Sequence, residues 1–206
     1  VTSYAIGGSN NGNYALWTRP DGSLWVVGYG NYGKFGNGNS QQQWIHEPQQ
    51  LLSSGVSAVA AGIEHSLIVK TDGSLWTTGR NDKGQLGDDT NETRDTWFKV
   101  VDANVTAVFA GSSHSLFLKN DGTFWGMGRN NWGQLGDGNV TDSLIPVQSN
   151  ISNVVSFSAE YSRSFVVKAD GSLWKTKSNA ANGWEQMVDA NVTAVESGGG
   201  HTTFTK

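Results

Sequence analysis

One short stretch recurs along the chain and limits its fold more than any other feature. It reads Asp-Gly-Ser-Leu-Trp, with Thr and Phe at the third and fourth places of one copy, and its copies occupy 21–25, 72–76, 121–125 and 170–174. A fixed period of about 50 residues is typical of solenoids, propellers and tandem arrays. The chain is therefore predicted to consist of repeated structural units.

The residues around each copy predict β-strands. An alternating apolar run ending in Lys or Arg precedes each Asp-Gly pair, as in 67–70. Asp-Gly between two such runs is the strongest short-range hairpin signal, because the turn needs a positive φ that Gly adopts at little cost. A β-branched run opens the repeat, as in 56–59, and a further strand follows a Gly-rich loop. Four short strands per repeat predict an all-β propeller built of four-stranded blades.

Three segments of the repeat together resemble a known family. They are Ala-Gly-x-x-His-Ser-Leu, Asp-Gly-Ser-Leu-Trp and Gly-Arg-Asn-x-x-Gly-Gln-Leu-Gly, most faithful within 56–150, and they resemble the regulator of chromosome condensation repeat family. The resemblance implies a β-propeller, commonly seven-bladed. The founding member of that family is a guanine nucleotide exchange factor on chromatin, and relatives include a plant ultraviolet photoreceptor and a β-lactamase inhibitor. Because one fold hosts many functions, the fold alone does not predict the function of this chain, which depends on its binding site.

The chain of 206 residues is predicted to form one repeat array. Its repeats are expected at approximately 1–55, 56–104, 105–150 and 151–191, with a half-repeat at 192–206. Seven blades would need about 350 residues, so a fragment, a smaller ring with a spare half-blade, and an open arc completed by a second subunit all stay open. Residues 1–19 duplicate the half-repeat, which favours self-association through the terminal half-repeats.

The first and fourth repeats depart from the pattern. Tyr14 and Arg163 stand where the other repeats have His, and the fourth repeat is shortened at 177–184 and lacks the Gly-Arg-Asn segment. Terminal repeats are often atypical because one side lacks a neighbour. That explanation is favoured over a specialised site in the fourth repeat.

Repeated aromatic and His positions are expected to be structural. Large aromatics that recur at one strand position are expected to fill the space between blades, and this set comprises Trp25, Trp76, Trp125 and Trp174. The resemblance implies that the recurring His residues order their own blades through backbone hydrogen bonds, and this set comprises His65, His114 and His201. Because Tyr14 and Arg163 interrupt the His set, no metal site is predicted.

Composition and motifs argue against several function classes. The chain has no Cys, no Gly-x-Ser-x-Gly and no P-loop pattern, so neither an enzyme nor a cofactor is predicted. A net charge of −4 disfavours nucleic acid, and no apolar run approaches the roughly 20 residues of a membrane-spanning helix. The Asn-, Thr-, Ser- and Gly-rich composition resembles bacterial surface repeats, so an extracellular or cell-surface location is expected, with the cytoplasm as the alternative.

The polar loop contains the candidate binding residues. Tyr32, Lys83 and Trp132 share one loop position at which packing does not dictate the residue. Such loops cluster on one face of a propeller, and exposed aromatics there are suited to binding. With Arg80 and Arg129 they are predicted to form a binding rim for a protein or a glycan.

Three functions are compatible with this sequence. The favoured one is a non-enzymatic recognition scaffold, and the alternative is a self-assembling structural subunit. Guanine nucleotide exchange is the weakest, because the chain is acidic, short for the ring and without a basic tail.

Overall fold

The computed structural model describes residues 1–9, 12–160, 162–177, 183–198 and 201–206, except for the side chains of Ser9 and His201. In these ranges every regular element is a β-strand. Blade 1 contains β1 Ser3–Ser9, β2 Gly12–Thr18, β3 Leu24–Gly30 and β4 Gln43–Leu52. Blade 2 contains β5 Val56–Ala61, β6 His65–Lys70, β7 Leu75–Gly79 and β8 Arg94–Val101. Blade 3 contains β9 Val105–Ala110, β10 His114–Lys119, β11 Thr123–Gly128 and β12 Ser143–Ser152. Blade 4 contains β13 Val154–Ala159, β14 Ser164–Lys168, β15 Leu173–Thr176 and β16 Trp184–Val188. The half-blade contains β17 Ala194–Gly198 and β18 His201–Thr205.

Strands pair antiparallel and in chain order within each blade. Four four-stranded sheets and one two-stranded sheet result, which confirms the predicted all-β propeller architecture with about four blades and a half-blade. Both β1–β2 and β17–β18 are the first two strands of a repeat, so the half-blade duplicates the inner half of blade 1.

The recurring Asp-Gly-Ser-Leu-Trp stretch forms a local hydrogen-bonded turn. The Asp72 carboxylate accepts bonds from the Ser74 amide at 2.9 Å and the Ser74 hydroxyl at 2.6 Å, while Gly73 has a φ of 79°. Ser74 Oγ in turn accepts the indole N–H of Trp76 at 2.8 Å, and the Lys70 ammonium lies 3.7 Å from the centroid of that ring. The other three copies repeat the carboxylate, hydroxyl, indole and cation contacts. The Asp, Ser and Trp of the stretch each have a partner within the turn, and its Leu or Phe is buried in the core, so the whole stretch recurs.

The core consists of apolar clusters between consecutive blades. The first joins Leu16 and Leu24 of blade 1 to Val59 and Ile68 of blade 2. Equivalent clusters join blade 2 to blade 3, blade 3 to blade 4, and blade 4 to the half-blade. The half-buried repeat tryptophans of blades 2 to 4 pack against the cluster that their blade shares with the preceding one: Trp76, Trp125 and Trp174. Trp25 of blade 1 is half-buried, and the Arg19 guanidinium lies over it, 3.8 Å from the centroid of the indole ring.

A buried hydrogen bond also crosses each of the first three seams. His65 Nε2 lies 3.0 Å from Ser115 Oγ of the next blade, and this hydroxyl donates to the Gln85 carbonyl at 2.7 Å. His114 Nε2 lies 3.4 Å from Ser164 Oγ in the next seam. Tyr14, at the His position of blade 1, places its hydroxyl 2.9 Å from Ser66 Oγ. The carbonyls of His65 and His114 accept the amides of Gly62 and Gly111 in their own blades, and that of His65 also accepts the Tyr14 hydroxyl of blade 1, while both rings reach the following blade.

Burial keeps both imidazoles neutral. It lowers the pKa of His65 to about 4 and that of His114 to about 3, because a buried imidazolium loses its hydration. The rings are packed tightly against backbone. A Cβ added at Gly62 or Gly111 would lie 2.6 Å from Nδ1 of the adjoining ring, closer than atoms pack. A Gly three residues before the His is therefore part of the seam.

The seam between blades 1 and 2 also contains a buried ion pair. Lys34, at the loop position that Gln85 and Gln134 occupy in the next two blades, places Nζ 3.0 Å from the Glu64 carboxylate. Burial lowers the pKa of Lys34, and the bond to Glu64 opposes that shift. This seam therefore differs chemically from its neighbours.

We expect Ser115→Ala to lower the free energy of unfolding by about 1–3 kcal/mol, because the buried His65 ring and the Gln85 carbonyl both lose a partner. Urea unfolding followed by tryptophan fluorescence measures this change. Ser53→Ala, at an exposed serine in the turn before β5, is the matched control and should be neutral within about 0.5 kcal/mol. Equal stability of the two variants would contradict the assigned seam bond.

Candidate binding site on the loop face

The loops after β7 and β11 are held by their own polar side chains. Asn81 accepts the Leu86 amide at 2.9 Å and donates to Asp88 at 2.8 Å, and Asn130 accepts the Leu135 amide at 2.9 Å. Leu86 and Leu135 are fully buried beneath these loops. Most loop residues are thus explained by packing, whereas the side chains at the shared position of Lys83 and Trp132 are not needed for it.

The predicted rim residues all lie on the loops that follow β3, β7 and β11. Tyr32 is 42% exposed, and the Arg80 guanidinium of the next blade lies 5.2 Å from its ring centroid. Arg80 also pairs with Asp82 at 3.0 Å. These contacts bring Tyr32 and Arg80 together across adjacent loops.

The remaining predicted rim residues lie farther along the same series of loops. Lys83 is half-buried, and Arg129 donates from Nε to Asn131 at 2.8 Å. Trp132 is 56% exposed. It forms one wall of a cleft facing blade 4, so it belongs to a second part of the loop face.

This cleft has a volume of about 350 Å³ and is mostly polar. Its lining consists of Trp132, Ser162, Arg163, Lys175, Thr176, Lys177 and Glu185. Glu185 holds both lysines, with its two oxygens 3.3 Å from Lys175 Nζ and 2.9 Å from Lys177 Nζ. The two ammonium groups lower the pKa of Glu185, Lys177 contributing most. Three cations and one carboxylate give the cleft a positive charge in a chain whose net charge is −4.

The cleft is basic because two lysines of blade 4 stand where blade 3 has glycines. In the strand register, Lys175 occupies the place of Gly126, since each of them pairs with the residue two positions after the Arg or His of its blade. Lys177 likewise occupies the place of Gly128, which has a φ of 100° and packs against the backbone of the preceding loop. The fourth repeat lacks the Gly-Gln-Leu-Gly segment whose Leu fills this region in blades 2 and 3. Residues 178–182 of its shortened loop lie outside the described ranges.

Arg163 lines the cleft rather than the seam because Glu160, a second substitution in this repeat, forms the bond to the next blade that His forms in blades 2 and 3. Glu160 stands at the place of Gly62 and Gly111, and its carboxylate accepts the Thr202 hydroxyl of the half-blade at 2.8 Å. This bond crosses the seam to the half-blade, as the His–Ser bonds do in earlier seams. Arg163 is exposed and lines the cleft. The sequence signal for this change was Ala-Glu in place of Ala-Gly, together with Arg in place of His.

From the sequence alone, the departures of the fourth repeat are attributed to the lack of a neighbour on one side. For Arg163 this explanation is wrong. The half-blade packs on blade 4 through Val192 and Val195, and the Glu160–Thr202 bond crosses that seam. Blade 4 therefore has a neighbour on both sides.

A second cavity, of about 390 Å³, lies along the first strands of the blades. Residues of β1, β5, β9, β13 and β17 line it, with Tyr4, Phe109 and Glu196 among them. Among the residues that the structure describes, no group of three or more His, Asp or Glu side chains is placed to hold a metal ion. The described residues also include no helix of the length and apolarity that crossing a membrane requires.

Comparison with known proteins identifies similar sequences. Human HERC2, an E3 ubiquitin-protein ligase, is 32% identical over 80 residues, which cover 37% of this chain and 2% of HERC2. The ultraviolet-B receptor UVR8 of Arabidopsis thaliana is 33% identical over 67 residues, which cover 32% of this chain and 15% of UVR8. The chain thus spans a small part of the length of these relatives.

Solved structures share the fold over nearly the whole chain. Human WBSCR16 matches 98% of this chain and 58% of its own length, with a TM-score of 0.76 and 19% identity. Yeast RCC1 (Prp20), solved with Kap60 bound, matches 97% of this chain and 53% of its own length, with a TM-score of 0.71 and 17% identity.

The family model described as the regulator of chromosome condensation (RCC1) repeat matches residues 21–69, 72–118 and 121–167. A second model of the same description matches 56–85 and 105–134. These matches cover more than half of the chain and coincide with the Asp-Gly turns and the His–Ser seams. The chain therefore belongs to the RCC1 repeat family.

Proposed function

We propose that the chain is a non-enzymatic recognition module that binds a partner protein through its loop face. The observation that carries this proposal is Trp132, a tryptophan 56% exposed at the mouth of a cleft. Exposed Trp, Tyr and Arg residues supply most of the binding energy in protein interfaces. Here they recur on consecutive loops of a rigid scaffold.

The known partners of related propellers support protein as the ligand. Yeast Prp20 has been solved with Kap60 bound, and its binding properties to Gsp1p and histones have been described. Since this chain spans about half of Prp20, those partners are not assigned to it. A glycan is the alternative ligand class, and an extracellular or cell-surface location is part of the proposal.

The buried histidines support the absence of catalysis. His65 and His114 have strongly lowered pKa values, but both are fully buried and face hydroxyl groups of the next blade. They are inaccessible to a substrate and act in the seams.

Trp132→Ala is expected to weaken partner binding by at least about 10-fold, because a central interface tryptophan contributes about 2 kcal/mol or more. The partner is first captured from an extract of the source cells on the immobilised chain, and its affinity is then measured by calorimetry. Trp44→Ala, at a tryptophan 57% exposed on β4, is the matched control. Unchanged affinity for Trp132→Ala, with normal binding by the control, would remove the loop face as the binding site.

A second candidate function is self-assembly, favoured by the outward face of blade 1. Tyr4 pairs with Trp17 on this face as Val59 pairs with Ile68 in blade 2. Val59 is buried at 6% exposure, whereas Tyr4 is 73% exposed and its neighbour Ile6 is 70% exposed.

The half-blade is not the complement of this apolar face. On its side away from blade 4, the half-blade exposes Ala194, Glu196, Thr203 and Thr205, of which only Ala194 is apolar. We therefore propose pairing of two blade 1 faces rather than docking of the half-blade on a second copy.

If blade 1 faces pair, sedimentation velocity is expected to show dimers of the native chain and monomers of the variant Tyr4→Ser/Ile6→Ser, because the variant removes the apolar contact area. Native circular dichroism of the variant serves as the folding control. A native chain that sediments as a monomer at every concentration would contradict this candidate.

A further inference from the structure

We propose that the cleft between the loop of blade 3 and the strands of blade 4, lined by Trp132, Arg163, Lys175 and Lys177, binds the carboxylate side chains of an acidic peptide segment. The inference rests on the proposed protein-binding function and names the chemistry of the partner. It concerns one end of the loop face only.

Arg163 is the principal carboxylate-binding group. In blades 2 and 3 the residue at this position is a fully buried, neutral imidazole used in the seam. In blade 4 the Glu160–Thr202 bond crosses the seam instead, so the guanidinium is not needed there. Among the described residues no acidic side chain pairs with Arg163. A guanidinium binds a carboxylate through two parallel N–H donors, which is its strongest and most selective contact.

Glu185 fixes the two lysines and leaves the cleft positive. Its carboxylate lies between Lys175 Nζ and Lys177 Nζ, so both ammonium groups are oriented before a ligand arrives. Each ammonium has three donors, and one contact with Glu185 leaves donors for a second carboxylate. The arrangement neutralises only one of the three cations in the cleft.

The walls suit a peptide better than nucleic acid. Trp132 supplies a flat apolar wall, while Ser162 and Thr176 supply polar ones. A volume of about 350 Å³ admits side chains of an extended segment, and the chain's net charge of −4 repels a polyanion as extended as nucleic acid. A uronate polysaccharide shares the carboxylate chemistry and is separated from peptide by experiment.

Fluorescence anisotropy tests the proposal with a labelled peptide of alternating Glu and Gly, and with its Gln-Gly counterpart as the uncharged probe. We expect binding of the Glu probe only. Arg163→Ala should weaken it by at least about 10-fold, because hydrogen bonds to charged groups are lost. Lys99→Ala, which removes an exposed cation on β8, should leave the affinity unchanged.

The double variant Glu160→Gly/Arg163→His provides a folded control. It restores the Gly and His of blades 2 and 3. We therefore expect it to unfold at the same midpoint temperature as the native chain and to bind the Glu probe no longer. Equal binding of the Glu and Gln probes, or full affinity of Arg163→Ala, would overturn the inference. So would displacement of the Glu probe by polygalacturonate at lower carboxylate concentration than by unlabelled peptide. If the Glu probe fails while capture of a partner still depends on Trp132, the proposed function stands without this inference.

Discussion

The side-chain hydrogen bond buried in each of the first three seams is the interaction on which the rest of the structure depends. Apolar clusters alone hold adjacent blades together but specify their register loosely, because many packings of similar area exist. A buried imidazole whose Nε2 faces one hydroxyl removes that freedom, since another register would leave Nε2 and the hydroxyl unpaired at a cost. The Tyr14–Ser66, His65–Ser115 and His114–Ser164 contacts repeat this device in successive seams.

Blade 4 indicates how such a scaffold acquires a site without losing its seam. Replacing His by Arg alone would put a cation where a neutral ring belongs, but Glu160 supplies a different acceptor for the next blade. The arginine is then exposed, and Lys175 and Lys177 line the same cleft. The same repeat thus combines a retained structural contact with a changed surface, which is the expected way for one fold to host different functions.

The periodic features were predictable from sequence and the departures were not. Asp-Gly turns, alternating strands and the duplicated half-repeat depend on local residue patterns, so the propeller architecture followed from them. The direction of the His65 ring depends on Ser115, 50 residues away, and the cleft depends on Glu160 compensating Arg163 through a third residue, Thr202. The departures Glu160 and Arg163 are visible in the repeat, but their partners are not, which is why Trp132 was predicted as a rim residue while Arg163, Lys175 and Lys177 were missed.

An NMR titration of the imidazole ring nitrogens tests the assigned seams most directly, because it reports the protonation of His65 and His114 in the intact fold. The structure predicts that both rings stay neutral down to about pH 5, since burial lowers their pKa values to about 4 and about 3. Signals are assigned with the variants His65→Gln and His114→Gln. Titration of either ring near its ordinary pKa of 6.5 would mean that it is hydrated rather than buried between blades, and would contradict the account.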